Sequence, residues 1–473
     1  ESYKSCIGFL FALFASSYHW YFYSNQNTYL LHAFLLSQPD VLNIDWLSSS
    51  VDSTPFFSVT SSYLLKLGDL FLINFNKFFE IIFYIFLTKI VLKDIPRSNQ
   101  LELSLLLLSM AFLSCIFPIY SGLKGQYILG SIYQPSIYGV FLLPALFYYL
   151  KGKNFKSLFC LFIATSFHPS LIFTTSIIGI IFLCNLKNNT QKIFFLVSGV
   201  LILFPIALCV YTNIYDSKFS DLASDILVTY RIPHHADLTF LSYLDVARLL
   251  ILGLSIFFCR DILLKKILIT ASALIVFFIL LANILDSNSF NLLFPIRISI
   301  LFVPIAVAIV SVEIFLILKS YLINHISERK VLFTCTLLVF LSVFINSVSI
   351  ISNKKINPYF DWTPYTSPDM VWLTPLSDPS YFIEGIRLNL SQPIFVDYKS
   401  HPINSKDIIE WKDRIDLSQR FYMSENKNEQ EFVFKEISEI SKIKYILAGN
   451  SDNYFIDSEI IFKSDNMTLF KVH

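Results

Sequence analysis

Three aspartates after the first apolar stretch of this 473-residue chain are the first groups that could do chemistry. They are Asp40, Asp45 and Asp52. The segment around them, residues 25–74, carries a single basic side chain, Lys66. Carboxylates held close together can bind a divalent cation or take a proton from a hydroxyl group. The simpler interpretation is a solvated loop whose aspartates occupy turns.

A second polar segment, residues 230–237, combines one arginine with two adjacent histidines. The planar guanidinium of Arg231 suits a phosphate group, and His234 or His235 could transfer protons near neutral pH. Adjacent histidine side chains point in different directions, so the pair alone does not predict a metal site. An ordinary polar loop explains the same residues.

Further ionisable groups lie within or beside apolar stretches, where a charge costs on the order of 3 kcal/mol and usually faces a cavity or a partner. Asp245 and Arg248 are three residues apart and can pair on one helix face. Arg297 could bind a lipid phosphate, or it could extend its charged end to the membrane interface. His168 opens a His-Pro-Ser turn that interrupts an apolar run, which makes it a candidate site residue.

The elements that must position these groups are eleven apolar stretches. They cover residues 4–24, 75–93, 101–120, 135–150, 157–167, 170–184, 193–213, 241–258, 267–284, 293–318 and 331–350. The pattern predicts a polytopic membrane protein of mostly α-helical fold. The fifth and sixth stretches are short, and we expect them to form a hairpin broken at His168 that keeps both flanking basic loops on one side.

Basic residues alternate between the loops that separate these stretches. Every second loop is rich in them: Lys89, Lys93, Arg97, Lys151, Lys153, Lys156, Lys187, Lys192, Arg260, Lys265, Lys266, Lys319, Arg329 and Lys330. The intervening loops hold only Lys66, Lys124, Lys218 and Arg231. By the positive-inside rule, the N-terminus is expected in the cytoplasm and everything after residue 351 on the far side. The first stretch is interpreted as a retained span because no small-residue cleavage site follows it.

Composition agrees with this interpretation and excludes other classes. Hydrophobic residues make up 55% of the chain, and the mean hydropathy is +0.60, which is high for a soluble protein of this length. A net charge of +1 argues against nucleic acid as a partner. All seven cysteines lie in or at the ends of the apolar stretches. No disulfide framework is therefore expected in the exported parts.

The exported tail, residues 352–473, has a different pattern. Short β-like runs occur at 370–374, 393–398, 444–448, 458–463 and 467–472, and helical patterns at 404–416 and 427–441. Strands alternating with helices predict a small extracytoplasmic α/β domain, so the chain divides into a transmembrane domain, 1–351, and this domain. Four charged residues could contact an acceptor or form surface ion pairs: Glu384, Arg387, Asp397 and Lys399.

This arrangement resembles the GT-C superfamily of integral membrane glycosyltransferases, which combine a long acidic first outer loop, about eleven spans and an exported C-terminal domain. The strings NQNTYLLHAF, DWLSSSVDSTPFF, SFHPS, RIPHH, FPIR and VDYKSHP are also similar to a family of uncharacterised bacterial multi-pass proteins near that superfamily. The resemblance covers most of the chain. One departure is that many GT-C enzymes have an acidic residue directly after the first span, where this chain has Asn25, Gln26 and Asn27.

The resemblance implies transfer of a sugar from a polyprenyl-phosphate carrier to an acceptor at the outer face of the bacterial inner membrane. Asp45 or Asp52 would be the base or a ligand of Mg²⁺ or Mn²⁺. Arg231 or Arg297 would receive the carrier phosphate. With these, we place His234 among the catalytic candidates and His235 and His168 among the substrate-binding ones.

Other functions are compatible with the same sequence. A polysaccharide polymerase or ligase would use the same lipid-linked substrate. A transporter would be expected to show internal repeats with paired broken helices, and one broken segment is visible. A scaffold with a ligand-binding exported domain would not need the acidic and arginine residues of the outer loops.

Overall fold

The computed structural model describes residues 21–22, 25–114, 117–130, 132–214, 219–238, 240–322, 327–353, 359–376, 383–449 and 456–472. The chain is mostly helical, at 70%, with a small sheet near its C-terminus. It divides into two compact units, each described here by itself. Unit 1 consists of the described residues of Asn74–Cys209 and Ile232–Lys354. Unit 2 consists of the described residues of His19–Ile73, Val210–Arg231 and Lys355–His473.

The units do not coincide with a simple division at residue 351. Unit 2 combines the C-terminal segment with residues of the predicted first outer loop and with the segment that ends at Arg231. Hydrogen bonds between residues more than 340 positions apart hold the first of these segments to the C-terminal one, for example from Leu388 N to Asn27 Oδ1. The C-terminal domain is thus completed by residues from the N-terminal third of the chain.

Unit 1 is built from helices that follow the predicted apolar stretches. They are Asn76–Val91, Arg97–Leu113, Leu142–Leu150, Asn154–Phe167, Ile172–Asn185, Asn189–Ile214, Tyr243–Phe258, Ile262–Leu285, Ser299–Leu322 and Glu328–Asn353. Local chemistry marks several of their starts. Ser242 and Asp245 form a capping box at Tyr243–Phe258, and Asp261 accepts a hydrogen bond from Leu264 N at the next helix.

Four helical segments among the described residues are long and apolar enough to cross a membrane: Asp69–Val91, Asn189–Leu208, Ile262–Leu285 and Asn288–Tyr321. Three shorter apolar helices are Pro135–Leu150, Asn154–Phe167 and Pro169–Asn185. The first predicted span, 4–24, lies outside the described residues except for 21–22. The mostly α-helical class and the C-terminal sheet are confirmed, whereas eleven spans and their orientation stay predictions.

The predicted break between the fifth and sixth stretches is present. Helix Asn154–Phe167 ends at His168, a short 3-10 turn follows at Pro169–Leu171, and helix Ile172–Asn185 begins immediately after it. Proline has no amide hydrogen to continue the first helix, and it is well accepted at the first position of a new turn. The sequence His-Pro-Ser therefore ends one helix and starts the next.

Unit 2 is an α/β unit with a four-stranded sheet. The strands are β1 (Val371–Leu373), β2 (Ile443–Gly449), β3 (Ser458–Lys463) and β4 (Met467–Val472). Their order is β1-β2-β4-β3, with β1 parallel to β2 and the other pairs antiparallel. The α-helices of five or more residues in this unit are Leu31–Ser37, Pro55–Leu65, Asp69–Ile73, Ser220–Asp225, Ser405–Met423 and Lys427–Ile440. Trp411 and Val433 come from the two long helices and pack with Ile446 of the sheet.

The predicted strand at 393–398 is wrong. Only Ile394 forms a bridge, with Trp372, so this segment adds no strand to the sheet. Trp372 N donates to Pro393 O at 3.0 Å and Phe395 N donates to Trp372 O at 2.8 Å, and the pairing with β1 goes no further. Ile394 N itself donates to Asp45 Oδ2 at 3.0 Å. A carboxylate from a distant part of the chain thus satisfies this amide.

Candidate functional site

The broken helix of unit 1 places a histidine and a serine side by side. His168 ends the first helix with its amide bonded to Ala164 O. Ser170, in the short turn, lies with its Oγ 2.9 Å from His168 Nε2. The turn is tight, with Leu171 N donating to His168 O at 2.8 Å, and the two side chains, two positions apart, lie within hydrogen-bond distance. The geometry is that of a hydroxyl next to an imidazole nitrogen, which can share one proton.

Arg297 lies against the same hydroxyl. Its Nη1 donates to Ser170 Oγ at 2.7 Å and to Ser170 O at 3.3 Å, and its Nε donates to Gln126 Oε1 at 2.8 Å. The guanidinium also lies 4.0 Å from the ring centre of Phe294. These hydrogen-bond partners are oxygens of neutral groups, and the bonds fix the position of the guanidinium.

The donor and acceptor properties of these groups determine where the protons lie. Arginine only donates, so Ser170 Oγ accepts from Arg297 and its own proton points to His168 Nε2. His168 Nε2 is then an acceptor, which is the neutral form of the imidazole. We call these four side chains the Arg297 cluster: His168, Ser170, Arg297 and Gln126. It combines a guanidinium cation with a hydroxyl that is hydrogen-bonded to an imidazole.

A tight loop, residues 122–126, supports the Arg297 cluster. A Cβ on Gly122 would lie 2.6 Å from Ser299 Oγ, so only glycine permits this approach. Leu123 N donates to Ser299 Oγ at 2.9 Å, which ties the loop to the helix that follows Arg297. The loop thereby presents Gln126. Nothing in the sequence signalled Gln126 as a site residue, because its role depends on this contact.

The other candidates of unit 1 surround the same loop. His235 Nδ1 lies 2.8 Å from Lys124 O and donates to it. Asp245 Oδ1 accepts from Lys124 N at 2.8 Å and from Arg248 Nη1 at 3.2 Å. The Asp245–Arg248 pair is thus present, and it also supports the loop. His234 is exposed, and its ring centre lies 4.0 Å from that of His235.

Asp45, in unit 2, is buried at 2% exposure and is engaged on both oxygens. Oδ1 accepts from Leu47 N at 3.0 Å. Oδ2 accepts from Arg387 Nε at 2.9 Å and from Ile394 N. A carboxylate with three donors and no access to solvent is well suited to holding segments together.

Arg387 continues this network to a second acid. Its Nη1 donates to Asp397 Oδ2 at 2.7 Å, and all three side chains of this Asp45–Arg387–Asp397 triad are buried. Burial by itself lowers the pKa of Arg387, but the two carboxylates together raise it above its ordinary value. Arg387 and Asp397 are therefore not surface ion pairs, as the sequence had suggested, because their segments fold over one another.

Asp52 has a different environment from Asp45. Its Oδ1 accepts from Thr54 N at 2.8 Å just before helix Pro55–Leu65, and the side chain is half-buried. His32 lies near it. Burial lowers the pKa of His32, and the charge of Asp52 partly opposes that shift. Asp52 is thus the more accessible of the two carboxylates that the resemblance offers as a base.

Arg231 is also buried in unit 2, at 8% exposure. Its Nη2 donates to Lys399 O at 2.7 Å, and its guanidinium lies 5.3 Å from the ring centre of Tyr398. Within the described residues, its Nε has no hydrogen-bond partner and no carboxylate lies within ion-pair distance. Burial lowers the pKa of Arg231 although Tyr398 and other acidic groups nearby raise it.

The structure brings the predicted residues together in two sets. His168 and Arg297 meet in unit 1, where His234 and His235 lie near the supporting loop. Asp45, Asp52 and Arg231 belong to unit 2, each with its own partners. Throughout the described part of the chain, no group of three or more His, Cys, Asp or Glu side chains is arranged to hold a metal ion.

Comparison with known proteins adds no relative. No protein-family model matches the chain, and no curated protein matches it.

Proposed function

We propose that this chain is an integral protein of the bacterial inner membrane that transfers a sugar from a polyprenyl-phosphate carrier to an extracytoplasmic acceptor. The observation that carries the proposal is the Arg297 cluster, a guanidinium fixed beside a hydroxyl and a neutral imidazole at the break of an apolar helix pair. An anionic head group on a long apolar tail is the substrate class that such a site suits.

Lipid contact is supported by the surface of unit 1. Only 6% of the Asn189–Leu208 window is buried, although its mean hydropathy is 2.1. Leu201 and Phe204 expose 69% and 61% of their surface. Apolar side chains exposed along a whole helix are stabilised by a bilayer and would be unfavourable in water.

The chemistry at the Arg297 cluster follows from its donors. A phosphate oxygen can take the place of Ser170 Oγ at Arg297 Nη1, because an anion is the stronger acceptor. The hydroxyl of Ser170 keeps its hydrogen bond to His168 Nε2. As the glycosidic bond breaks, negative charge develops on the leaving phosphate, and a pre-positioned guanidinium stabilises that charge more than it stabilises the ground state.

The reaction also needs a group that accepts the proton of the acceptor hydroxyl. Of the two aspartates implied by the resemblance, Asp52 retains an accessible carboxylate, whereas Asp45 is committed to Arg387. We therefore assign the proton-accepting or cation-binding role to Asp52 and a structural role to Asp45. Mg²⁺ or Mn²⁺ remains the proposed ion if the reaction is metal-dependent.

The test is native mass spectrometry of the full chain purified gently from its own membranes. The unchanged protein is expected to carry a polyprenyl phosphate or its glycosylated form, and Arg297→Ala is expected to lose it. Arg260→Ala is the matched control, because Arg260 is a half-exposed arginine of the same unit that pairs with Glu313. Retention of the carrier in Arg297→Ala, or bulk phospholipid alone in all three proteins, would overturn the proposal.

A second measurement separates an enzyme from a binding scaffold. Asp52→Asn keeps the Arg297 cluster intact and should still hold the carrier. If the chain is a transferase, carrier isolated with Asp52→Asn should remain glycosylated while the unchanged protein releases the sugar to its acceptor. Equal turnover in both proteins would remove Asp52 from the mechanism.

A further inference from the structure

Arg231 and Lys399 of unit 2 have donors that no group of the described chain satisfies. Arg387 Nη2, which the triad leaves open, is a third such donor in the unit. Arg231 Nε is buried without a hydrogen-bond partner. Lys399 is half-buried, and its Nζ forms no ion pair or hydrogen bond within the described ranges. Leaving the buried Nε of Arg231 unsatisfied costs free energy unless a ligand or water binds it, whereas Lys399 is partly exposed. The two positive charges also repel one another, which contributes to the lowered pKa of Lys399 after the larger effect of burial.

The position of Arg231 is defined without the use of its Nε. Its Nη2 holds Lys399 O, and the ring of Tyr398 covers the guanidinium. Tyr398 is itself anchored, because its hydroxyl donates to Tyr230 O at 2.7 Å. A cation fixed from one side with a donor left open is pre-organised for a ligand.

The acidic groups of the region leave part of this positive charge uncompensated. Asp397 is bound by Arg387 and by the amide of Ser400. Glu384 acts electrostatically on both Arg231 and Lys399 and offsets some of their charge. This balance favours a singly charged anion over a doubly charged one.

His401 adds an acceptor of defined orientation. Its Nδ1 lies 2.8 Å from Pro402 O, which can only accept, so Nδ1 carries the proton. Nε2 is then the bare nitrogen of a neutral imidazole, and it forms no hydrogen bond within the described residues. Burial, together with the charge of Arg231, lowers the pKa of His401 to about 4. The ring therefore stays neutral at ordinary pH, and Nε2 can accept a hydrogen bond from a hydroxyl group.

We infer that Arg231, Lys399 and His401 form a second site, distinct from the Arg297 cluster, which binds a phosphate that still carries a proton. The two cations bind the charged oxygens, and His401 Nε2 accepts the hydrogen bond of the P–OH group. The ligand class is inorganic phosphate or a phosphate monoester in its singly charged form. A phosphodiester and sulfate have no proton to give and are discriminated against.

This inference goes beyond the proposed function and does not depend on it. The Arg297 cluster belongs to unit 1 and was assigned to the phosphate of the lipid carrier. The second site lies in unit 2, and its ligand could be a soluble sugar phosphate or a lipid monophosphate such as a carrier that has lost its sugar. Both share the chemistry of a monoester group.

The experiment is isothermal titration of the detergent-solubilised full chain with inorganic phosphate and with sulfate. It is done at pH about 6, near the second pKa of a phosphate monoester, where His401 is neutral. We expect phosphate to bind at least about tenfold more tightly than sulfate, a difference that one hydrogen bond to a neutral acceptor can supply. His401→Leu should lose this preference while retaining sulfate binding.

Charge-removing variants test the two cations. Lys399→Gln and Arg231→Gln should each weaken the binding of both anions by about tenfold or more. Arg420→Gln, which removes an exposed arginine of the same unit paired with Glu436, should leave binding unchanged. Because Lys399 is half-exposed, its variant is expected to fold. Equal binding of phosphate and sulfate by the unchanged protein, or full binding by Lys399→Gln, would overturn the inference.

Competition then identifies the source of the phosphate group. Glucose 1-phosphate and dodecyl phosphate are added separately to the phosphate-bound protein. Displacement by glucose 1-phosphate alone indicates a soluble sugar phosphate, and displacement by dodecyl phosphate alone indicates a lipid monophosphate. Displacement by neither would contradict a monoester site.

Discussion

Arg387 and Arg231 are both buried arginines of unit 2, yet their surroundings differ in kind. Arg387 donates to the carboxylates of Asp45 and Asp397. Arg231 donates to a backbone carbonyl and lies against an aromatic ring. A buried cation whose charge is met by two acids holds segments of the chain together. A buried cation met by neutral groups keeps its charge available, which is a property of binding sites.

The largest effect is expected from Arg387→Met. The substitution leaves Asp45 and Asp397 buried without their shared cation, so we expect unit 2 to lose about 3–5 kcal/mol of unfolding free energy. Urea unfolding of the full chain in micelles, followed by tryptophan fluorescence, measures the loss. Arg420→Met serves as a control, since an exposed ion pair contributes at most about 1 kcal/mol. Similar stabilities for the two variants would mean that the triad does not hold the unit together.

A smaller effect is expected from Asp45→Asn, which keeps the shape of the side chain but removes its charge. Arg387 would retain Asp397, so the expected cost is about 2 kcal/mol. Asp52→Asn should change stability by less than about 0.5 kcal/mol, because its side chain is half-buried and bonded only locally. The same unfolding assay compares the two. A larger cost for Asp52→Asn than for Asp45→Asn would reverse the structural and functional roles given to them.

Arg231→Met should cost still less than Asp45→Asn. It removes one hydrogen bond to Lys399 O and the contact with Tyr398, but it also removes a buried charge, so we expect a loss of roughly 1 kcal/mol. Phosphate binding by the same variant should nevertheless fall sharply. Urea unfolding would then show a small loss of stability, and titration a large loss of phosphate affinity. A loss of unfolding free energy comparable to that of Arg387→Met would instead place Arg231 among the structural arginines.

A further prediction concerns pH. The pKa of His401 is about 4 in the folded chain, below the ordinary 6.5 expected after unfolding. Between these values the unfolded state binds more protons, so the contribution of His401 to stability is present above pH about 6.5 and is lost as the pH falls toward about 4. Arg231 and the carbonyl of Pro402 are the groups that act on it. Across this window the unfolding free energy should depend more steeply on pH in the unchanged protein than in His401→Leu. Equal slopes for the two proteins would contradict the assignment.

Several elements follow directly from the sequence. The break at His168 was predicted because Pro169 has no amide hydrogen, a local property that no tertiary contact alters. The helices at 404–416 and 427–441 were predicted from their apolar spacing and are present as Ser405–Met423 and Lys427–Ile440. The β-like composition of the run 393–398 predicted a strand, whereas the structure has only the bridge between Ile394 and Trp372.

Site residues divide in the same way. Arg297 and His168 were recognised from their types and from their unusual position in apolar stretches, but Gln126 was not, because an amide in a loop has no distinguishing pattern. His401 was also missed. Its hydrogen bond to Pro402 O is local, but its importance comes from Arg231, a residue of another segment.

By itself, the sequence determined where apolar helices form and where they stop, because hydrophobicity, proline and capping side chains act over a few neighbouring residues. Only the tertiary structure decided which charges neutralise one another. Arg387 and Asp45 are 342 positions apart, and no local pattern predicts such a pair. A buried cation that is paired with a distant carboxylate supports the fold, because the carboxylate neutralises its charge. A buried cation without such a carboxylate keeps its charge and can bind a ligand.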